Sequence, residues 1–264
     1  YWHLNTQETY WPLYAANHLK LLQPYYKMYW DMLPVTKEMA AKYHNVQQGA
    51  WYGETLNRWG YPDHLPPKDM GYMLSPGVQM GFYFWWYYLY TGDEDFLRMR
   101  AYPVLKECVD FYLGYMKKDE AGIYYIYPSA AYETPREPPF FKNPVVDVAN
   151  VKIGCRILLE ASRILNVDHD RRDQWQEVLA HLPPYPIMFE EGKTLYAQGL
   201  RNNVGAKTKN KVLPELANVF PSGDIGLEER GTRPFQIAVN TVLARIPQMG
   251  WGGMEMGVFA ARIG

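Results

Sequence analysis

VVDVANVKIGCRILLEASRILNVD, residues 145–168, repeats small or apolar side chains at Val148, Val151, Cys155, Leu158, Ser162 and Leu165. Steps of three and four residues put these on one stripe of a helix with 3.6 residues per turn. Asp147 stands where an N-cap belongs. Ala101, Leu105, Cys108, Tyr112 and Tyr115 repeat the pattern over 101–115. Further helices are predicted over 7–22, 24–43, 77–91, 171–181, 213–219, 234–245 and 253–263. That makes eight or nine helices at usual lengths. No alternating run is long enough to predict a sheet; GIYYIYPS (122–129) reads as a short strand or an extended loop. The chain is predicted to be all-α.

The connections alternate in character. In TGDED (91–95) Gly92 can end one helix and Asp93 can cap the next. The connections 51–76, 122–145 and 183–212 are long and rich in Pro, Tyr and charge, the kind of loop that carries function. Short turns alternating with long loops suggest a ring of helical hairpins. No fixed-period repeat is visible, which argues against a helical-repeat solenoid. The whole of 1–264 reads as one domain.

Composition narrows the function classes. Formal net charge is -1 and pI about 6.7, so no basic excess exists to hold nucleic acid or an anionic membrane. The longest apolar run, MGFYFWWYYLY (80–90), is about half of what a membrane span needs. Aromatic residues make up 16%, with 23 Tyr and 9 Trp. Buried Tyr and Trp need a polar partner at one end, so either the core is half-polar or a cavity is floored with rings. Cys108 and Cys155 read as buried thiols, with a single disulfide as the other possibility. The chain starts at Tyr1 and stops at Gly264 just after a helical pattern, and it reads as a truncated piece of a longer protein with flanking domains missing.

Several chemistries lack their motifs. There is no Gly-rich phosphate loop, no HExxH and no GxSxG. His3, His18, His44, His64, His169 and His181 show no metal-ligand spacing, so neither metal nor other cofactor is implied. What remains is carboxylates among rings. YPSAAYETPRE sets Glu133 beside Tyr127, Pro128, Tyr132 and Pro135. A carboxyl pressed against rings loses hydration and stays protonated near neutrality, as a general acid requires. The plainer alternative is a solvated loop glutamate, or a partner for Arg136. WYGETLNRWG (51–60) offers Trp51 and Trp59 as sugar-stacking rings and Glu54, Asn57 and Arg58 as hydroxyl binders; a structured loop with an Arg58–Glu54 pair explains it equally well. Glu215, after Pro214, and Glu255, after the Gly-rich turn beside Trp251, both fit first-turn helix positions favoured by the dipole. The row FYFWWYYLY reads as core. NTQETYWPLYAANHL (5–19) interleaves rings and polar groups, which fits either a helix lining a wet, ring-binding cavity or ordinary packing near a chain end.

In order and approximate spacing, HLNTQETYWP (3–12) with NHL (17–19), YLYTGDEDFL (88–97), YPVLKECVDFYL (102–113), YPSAAYET (127–134), 145–168 running to LPPYPI (182–187), ELANVFPSGDIGL (215–227) and GWGGMEMGVFAARIG (250–264) resemble the catalytic domain of glycoside hydrolase family 95. That group includes α-L-fucosidases, α-L-galactosidases and uncharacterised bacterial relatives. The resemblance implies an (α/α)6 barrel, a six-hairpin toroid of twelve helices and so incomplete here. It implies hydrolysis with inversion, with Glu133 as general acid. The family's two asparagines before YWP, which with a distant aspartate position the attacking water, read His3 and Asn5 here. Near the last matching segment, where the aspartate is expected, only Glu255 is found. The family's HL before YGLFP reads Glu215-Leu216.

The implied activity is therefore exo-hydrolysis of a terminal sugar, of L-fucose or L-galactose type, from an oligosaccharide or polysaccharide. Glu255 or Glu215, with Asn5 and His3, would orient water. Trp11, Trp51, Glu54, Asn57, Arg58, Trp59 and Trp251 would bind sugar. Inversion requires carboxyls roughly 6.5–9.5 Å apart. The alternatives are a non-catalytic glycan-binding module on the same barrel, or a lyase or phosphorylase. The resemblance favours a periplasmic or extracellular location.

Overall fold

The protein is described from a computed structural model over residues 3–67, 69–133, 138–207, 212–246 and 253–264. Among these residues the helices are α1 (His3–Glu8), α2 (Trp11–Ala15), α3 (Gln23–His44), α4 (Pro76–Thr91), α5 (Glu94–Phe96), α6 (Tyr102–Tyr115), α7 (Val145–Leu165), α8 (Arg172–His181), α9 (Arg233–Arg245) and α10 (Gly253–Ile263). The long periodic segments fold as their spacing predicts. Gly92 ends α4 in the left-handed region (φ 68°), and the Asp93 side chain accepts from the Phe96 N–H (2.9 Å).

The helices pack as neighbours: α3 against α6, α6 against α4 and α7, α7 against α4 and α8, and α9 against α10. Two glycines one turn apart, Gly77 and Gly81, set the α4–α6 approach. A Cβ at Gly81 would lie 2.7 Å from Leu105 Cδ1, and one at Gly77 would lie 3.1 Å from Cys108 Sγ. Gly154 does the same for α7 against Val109 of α6. Cys108 and Cys155 are free, buried thiols.

The core is half-polar, as its tyrosines require. The hydroxyls of Tyr14 and Tyr26 lie 2.8 Å apart, and both donate to the Tyr83 carbonyl (2.9 and 3.2 Å). A second apolar cluster joins α9 and α10 to residues 214–225, and Trp11 and Trp86 pack against both clusters. Among the described residues no helix is long and apolar enough to cross a membrane.

Four sequence expectations are corrected. The helix expected over 7–22 divides into α1, α2 and a 3-10 turn at Leu19–Leu22. Pro12 cannot donate a helical hydrogen bond, and Asn17 sits at φ 56°. The helix expected over 213–219 is one 3-10 turn, Pro214–Leu216. Asp147 is not an N-cap: Pro144 holds that position, and Asp147 lies inside the first turn, 1% exposed. Finally, sheet is present as three antiparallel hairpins, the first of which contains the short strand read within 122–129. These are β1 (Lys117–Lys118) with β2 (Tyr124–Tyr125), β3 (Ile187–Glu190) with β4 (Lys193–Tyr196), and β5 (Gly199–Arg201) with β6 (Val204–Ala206). The last two close through two-residue loops, Glu191-Gly192 and Asn202-Asn203, with both residues at positive φ. That is the geometry that matches strand twist in a tight hairpin.

Candidate active site

α1 is docked by its first residue, whose His3 N–H donates to the Glu54 carbonyl (2.9 Å). His3 and Gln7, four residues apart, share one face of α1, and Asn5 lies across from them. His3 and Gln7 are accordingly buried and Asn5 is exposed. The buried face forms a directed chain of hydrogen bonds. The Tyr83 hydroxyl donates to Gln7 Oε1 (3.0 Å), Gln7 Nε2 donates to His3 Nδ1 (2.6 Å), and His3 Nε2 donates to Gln79 Oε1 (2.6 Å). Burial pulls the His3 pKa down to about 4, so the ring is neutral, as its one-donor, one-acceptor role demands.

Gln7, Gln79 and Tyr83 line a cavity of about 40 Å³ together with Trp11, Tyr132 and Glu255. That space suits water rather than a sugar ring. Glu255, in the first turn of α10, is 8% exposed, and its Oε2 has no hydrogen-bond partner among the described residues. Burial, then the neighbouring charges of Glu8 and Glu215, push its pKa up to about 7. Burial also raises the Glu8 and Glu54 carboxyls, and the field of Glu133 adds to the effect on Glu54. Burial raises the Tyr132 hydroxyl pKa well above its usual value, and the charges of Glu255, Glu133, Glu54 and Glu8 act in the same direction.

Tyr132 and Glu133 end a segment that is bonded along its length. Asn143 Oδ1 accepts from the Ile126 N–H (2.8 Å), Ser129 and Phe141 exchange two main-chain bonds (3.1 and 2.8 Å), and the Ala130 N–H donates to the Tyr72 carbonyl (2.9 Å). Beneath it Asp147 accepts from the Ser129 and Tyr112 hydroxyls, both at 2.6 Å. Full burial pushes the Asp147 pKa up to about 7 despite these donors. An acid whose pKa rises on folding binds more protons folded than unfolded, so its contribution to stability falls as pH climbs from about 4 to about 7. Asp147→Asn cannot titrate. Its melting temperature relative to wild type should therefore rise by several degrees between about pH 4.5 and pH 8, reflecting at most roughly 4 kcal/mol. Equal differences at the two pH values would show that Asp147 does not titrate on folding.

The remaining sequence candidates divide. Trp11 lines the cavity, edge-on to Phe220 (centroids 4.9 Å). Glu54 is buried, and Thr55 Oγ1 donates to its carboxylate. Glu133 is half-buried. Asn5 and His3 do not converge on one point, because two residues on a helix diverge. Glu215 is 2% exposed and its Oε1 is held by Arg245 Nε (3.0 Å), so its carboxylate serves a buried ion pair. Asp224 is likewise structural, tied to Lys152, Arg156 and the Tyr185 hydroxyl. Trp51 is not a platform: it is 1% exposed, lies against His44 (4.2 Å) and donates to the Met73 carbonyl. Asn57 Oδ1 builds a turn by accepting from the Trp59 and Tyr61 N–H groups. Arg58 lies over the exposed Trp59 ring (4.0 Å), and no Arg58–Glu54 pair forms among the described residues. Trp251, like Arg136, falls outside the described residues.

Sequence reasoning missed Gln7, Gln79, Tyr83 and the place of Tyr132 on the cavity lining. Gln79 was detectable as the one amide in the otherwise apolar and aromatic run VQMGFYFWW (78–86).

Over residues 1–264 the chain matches the Glycosyl hydrolase family 95 catalytic domain. It is 23% identical over 235 residues to Alpha-L-fucosidase 2 of Arabidopsis thaliana, a match that spans 86% of this chain and 27% of that protein's length. Among solved structures, "Putative kojibiose phosphorylase from human microbiome" superposes with a TM-score of 0.48 at 12% identity, over 61% of this chain and 24% of its own.

Proposed function

The chain belongs to glycosyl hydrolase family 95, as its catalytic domain, and from this we propose that it is an inverting, exo-acting glycoside hydrolase releasing a terminal L-fucose or L-galactose type sugar from an oligosaccharide or polysaccharide. The single observation that supports the reading is Glu255, buried with Oε2 lacking a hydrogen-bond partner among the described residues, on a water-sized cavity lined by amides and rings. The neighbouring helices would be part of an (α/α)6 barrel.

In this reading Glu133, at the end of the segment stiffened by Asp147 and Asn143, protonates the leaving oxygen. Glu255 removes a proton from water held in the cavity, and a carboxyl poised near neutrality suits that step. Gln7 and Gln79, set by neutral His3, orient the water. Glu215 is assigned to the ion pair and not to the reaction.

Proton NMR during hydrolysis of an α-L-fucosyl or α-L-galactosyl disaccharide tests the proposal. The β-anomer of the freed sugar should appear first and then mutarotate. The α-anomer first would mean retention and would reject it. A second reading, a glycan-binding module without turnover, is favoured by His3, whose ring is closed between two amides where an asparagine is expected. Saturable binding of the same disaccharide with no sugar release would select it.

A further inference from the structure

Asp147 is a buried acid that takes no part in the chemistry proposed above. It lies in the first turn of α7, and each of its oxygens accepts one hydroxyl: Oδ1 from Tyr112 of α6 and Oδ2 from Ser129. Its neighbours on the helix, Val145, Val146 and Val148, are buried and apolar. A further apolar side chain would fill the place without the cost of taking a carboxylate out of water. What the acid adds is direction. It joins two packed helices to one point of the segment that ends at Glu133.

Ser129 is that point, four residues before Glu133 and fully buried. The main-chain groups of the segment bond mostly to other connecting residues: Ser129 to Phe141, the Ile126 N–H to Asn143 Oδ1, and the Ala130 N–H to the Tyr72 carbonyl. Two side-chain bonds reach the long helices instead. The Tyr115 hydroxyl of α6 donates to the Pro128 carbonyl (2.6 Å), and Ser129 donates to Asp147 of α7. Ser129 is the nearer of these two anchors to Glu133 along the chain. The residues between, Ala130, Ala131 and Tyr132, are all buried. A displacement at Ser129 is therefore passed on through a close-packed stretch rather than absorbed by a loose one.

We propose that Asp147 and Ser129 are positioning residues for Glu133: their bond sets how far the Glu133 carboxyl reaches toward the leaving oxygen. This rests on the reading of Glu133 as general acid. Neither residue touches the sugar; both act through the segment.

Leaving-group kinetics of Ser129→Ala and Tyr112→Phe test this. Each variant takes one hydroxyl from Asp147 and leaves the other in place, so each should lower the melting temperature by a comparable amount. Only Ser129→Ala frees the segment. It should lower kcat by about ten- to a hundredfold on an α-L-fucosyl or α-L-galactosyl disaccharide, the cost of a misplaced donor. On the matching dinitrophenyl glycoside, which needs no proton, the loss should stay below about threefold. Tyr112→Phe should remain within about threefold of wild type on both substrates. Hydrogen exchange of the Ser129 and Ala130 amides should be faster in Ser129→Ala alone. Equal loss on both leaving groups in Ser129→Ala, the same selective loss in Tyr112→Phe, or unchanged exchange at Ser129 and Ala130 would overturn the proposal. Glu133→Gln, measured beside them, keeps the two readings apart. Absence of leaving-group selectivity in Glu133→Gln rejects the acid role, whereas selectivity there and none in Ser129→Ala rejects the positioning role alone. Exchange needs no turnover, so it decides whether the bond holds the segment even if the wild type releases no sugar.

Discussion

Glu133→Gln should lower kcat by about 10²–10⁴-fold on a glycoside with a poor leaving group, because the amide cannot donate the proton that the departing oxygen needs. The same variant should lose far less, less than about tenfold, on a dinitrophenyl glycoside, whose leaving group departs without protonation. Glu255→Gln should be impaired on both substrates, since activation of water is needed whatever leaves. The two carboxyls are thereby separated by a leaving-group series rather than by the size of a single defect. If Glu255 is the base, its ionised form works, so kcat/KM should rise with pH through about 7, where burial and the Glu8 charge place its pKa. Equal loss on both leaving groups in Glu133→Gln would remove it from the acid role. Thermal melts of Glu133→Gln should stay near wild type, since its carboxylate belongs to no ion pair among the described residues. Glu255→Gln removes a buried acid whose pKa is raised to about 7, so it should melt progressively higher relative to wild type as pH rises from about 4.5 to 8.

The second large effect lies in stability. Arg245→Ala should destabilise the fold by about 3–5 kcal/mol, because it leaves the Glu215 carboxylate buried and unpaired. Both side chains are 2% exposed, and Arg245 also reaches Glu190, which Lys207 holds from the other side. For a chain of this size the loss corresponds to a fall in melting temperature on the order of 10 °C. Removing the stranded charge as well, in Arg245→Met/Glu215→Leu, should recover most of it, since a buried pair replaced by apolar groups is often close to neutral. A single variant within about 1 kcal/mol of wild type would mean that water reaches the pair.

The long helices were legible because their spacing is local: a stripe at steps of three and four residues is visible in any window of fifteen. The β3–β4 and β5–β6 hairpins were not. Strands of three or four residues carry too few alternations, and only Glu191-Gly192 and Asn202-Asn203, two short turns inside a charged loop, mark them. Asp147 shows how one residue type serves two needs. An aspartate at a helix start looks like a cap, but its partners Tyr112 and Ser129 lie 35 and 18 residues away. Glu215 was legible as a helix-start acid, whereas Arg245, thirty residues on, was not. His3 and Asn5 look adjacent as text, yet the helical turn sends one inward and the other to solvent.

α4 carries Gly77 and Gly81 toward α6 and, from the same stretch of rod, Gln79 and Tyr83 toward the cavity. A helix of sixteen residues shifts as one body. A methyl added at Gly81 therefore acts as a shim: it would displace the amide and hydroxyl on the opposite side by a fraction of an ångström. Its cost would fall on the alignment of reacting groups more than on the melting point, and this ties the tolerance of a remote seam to the precision of the chemistry.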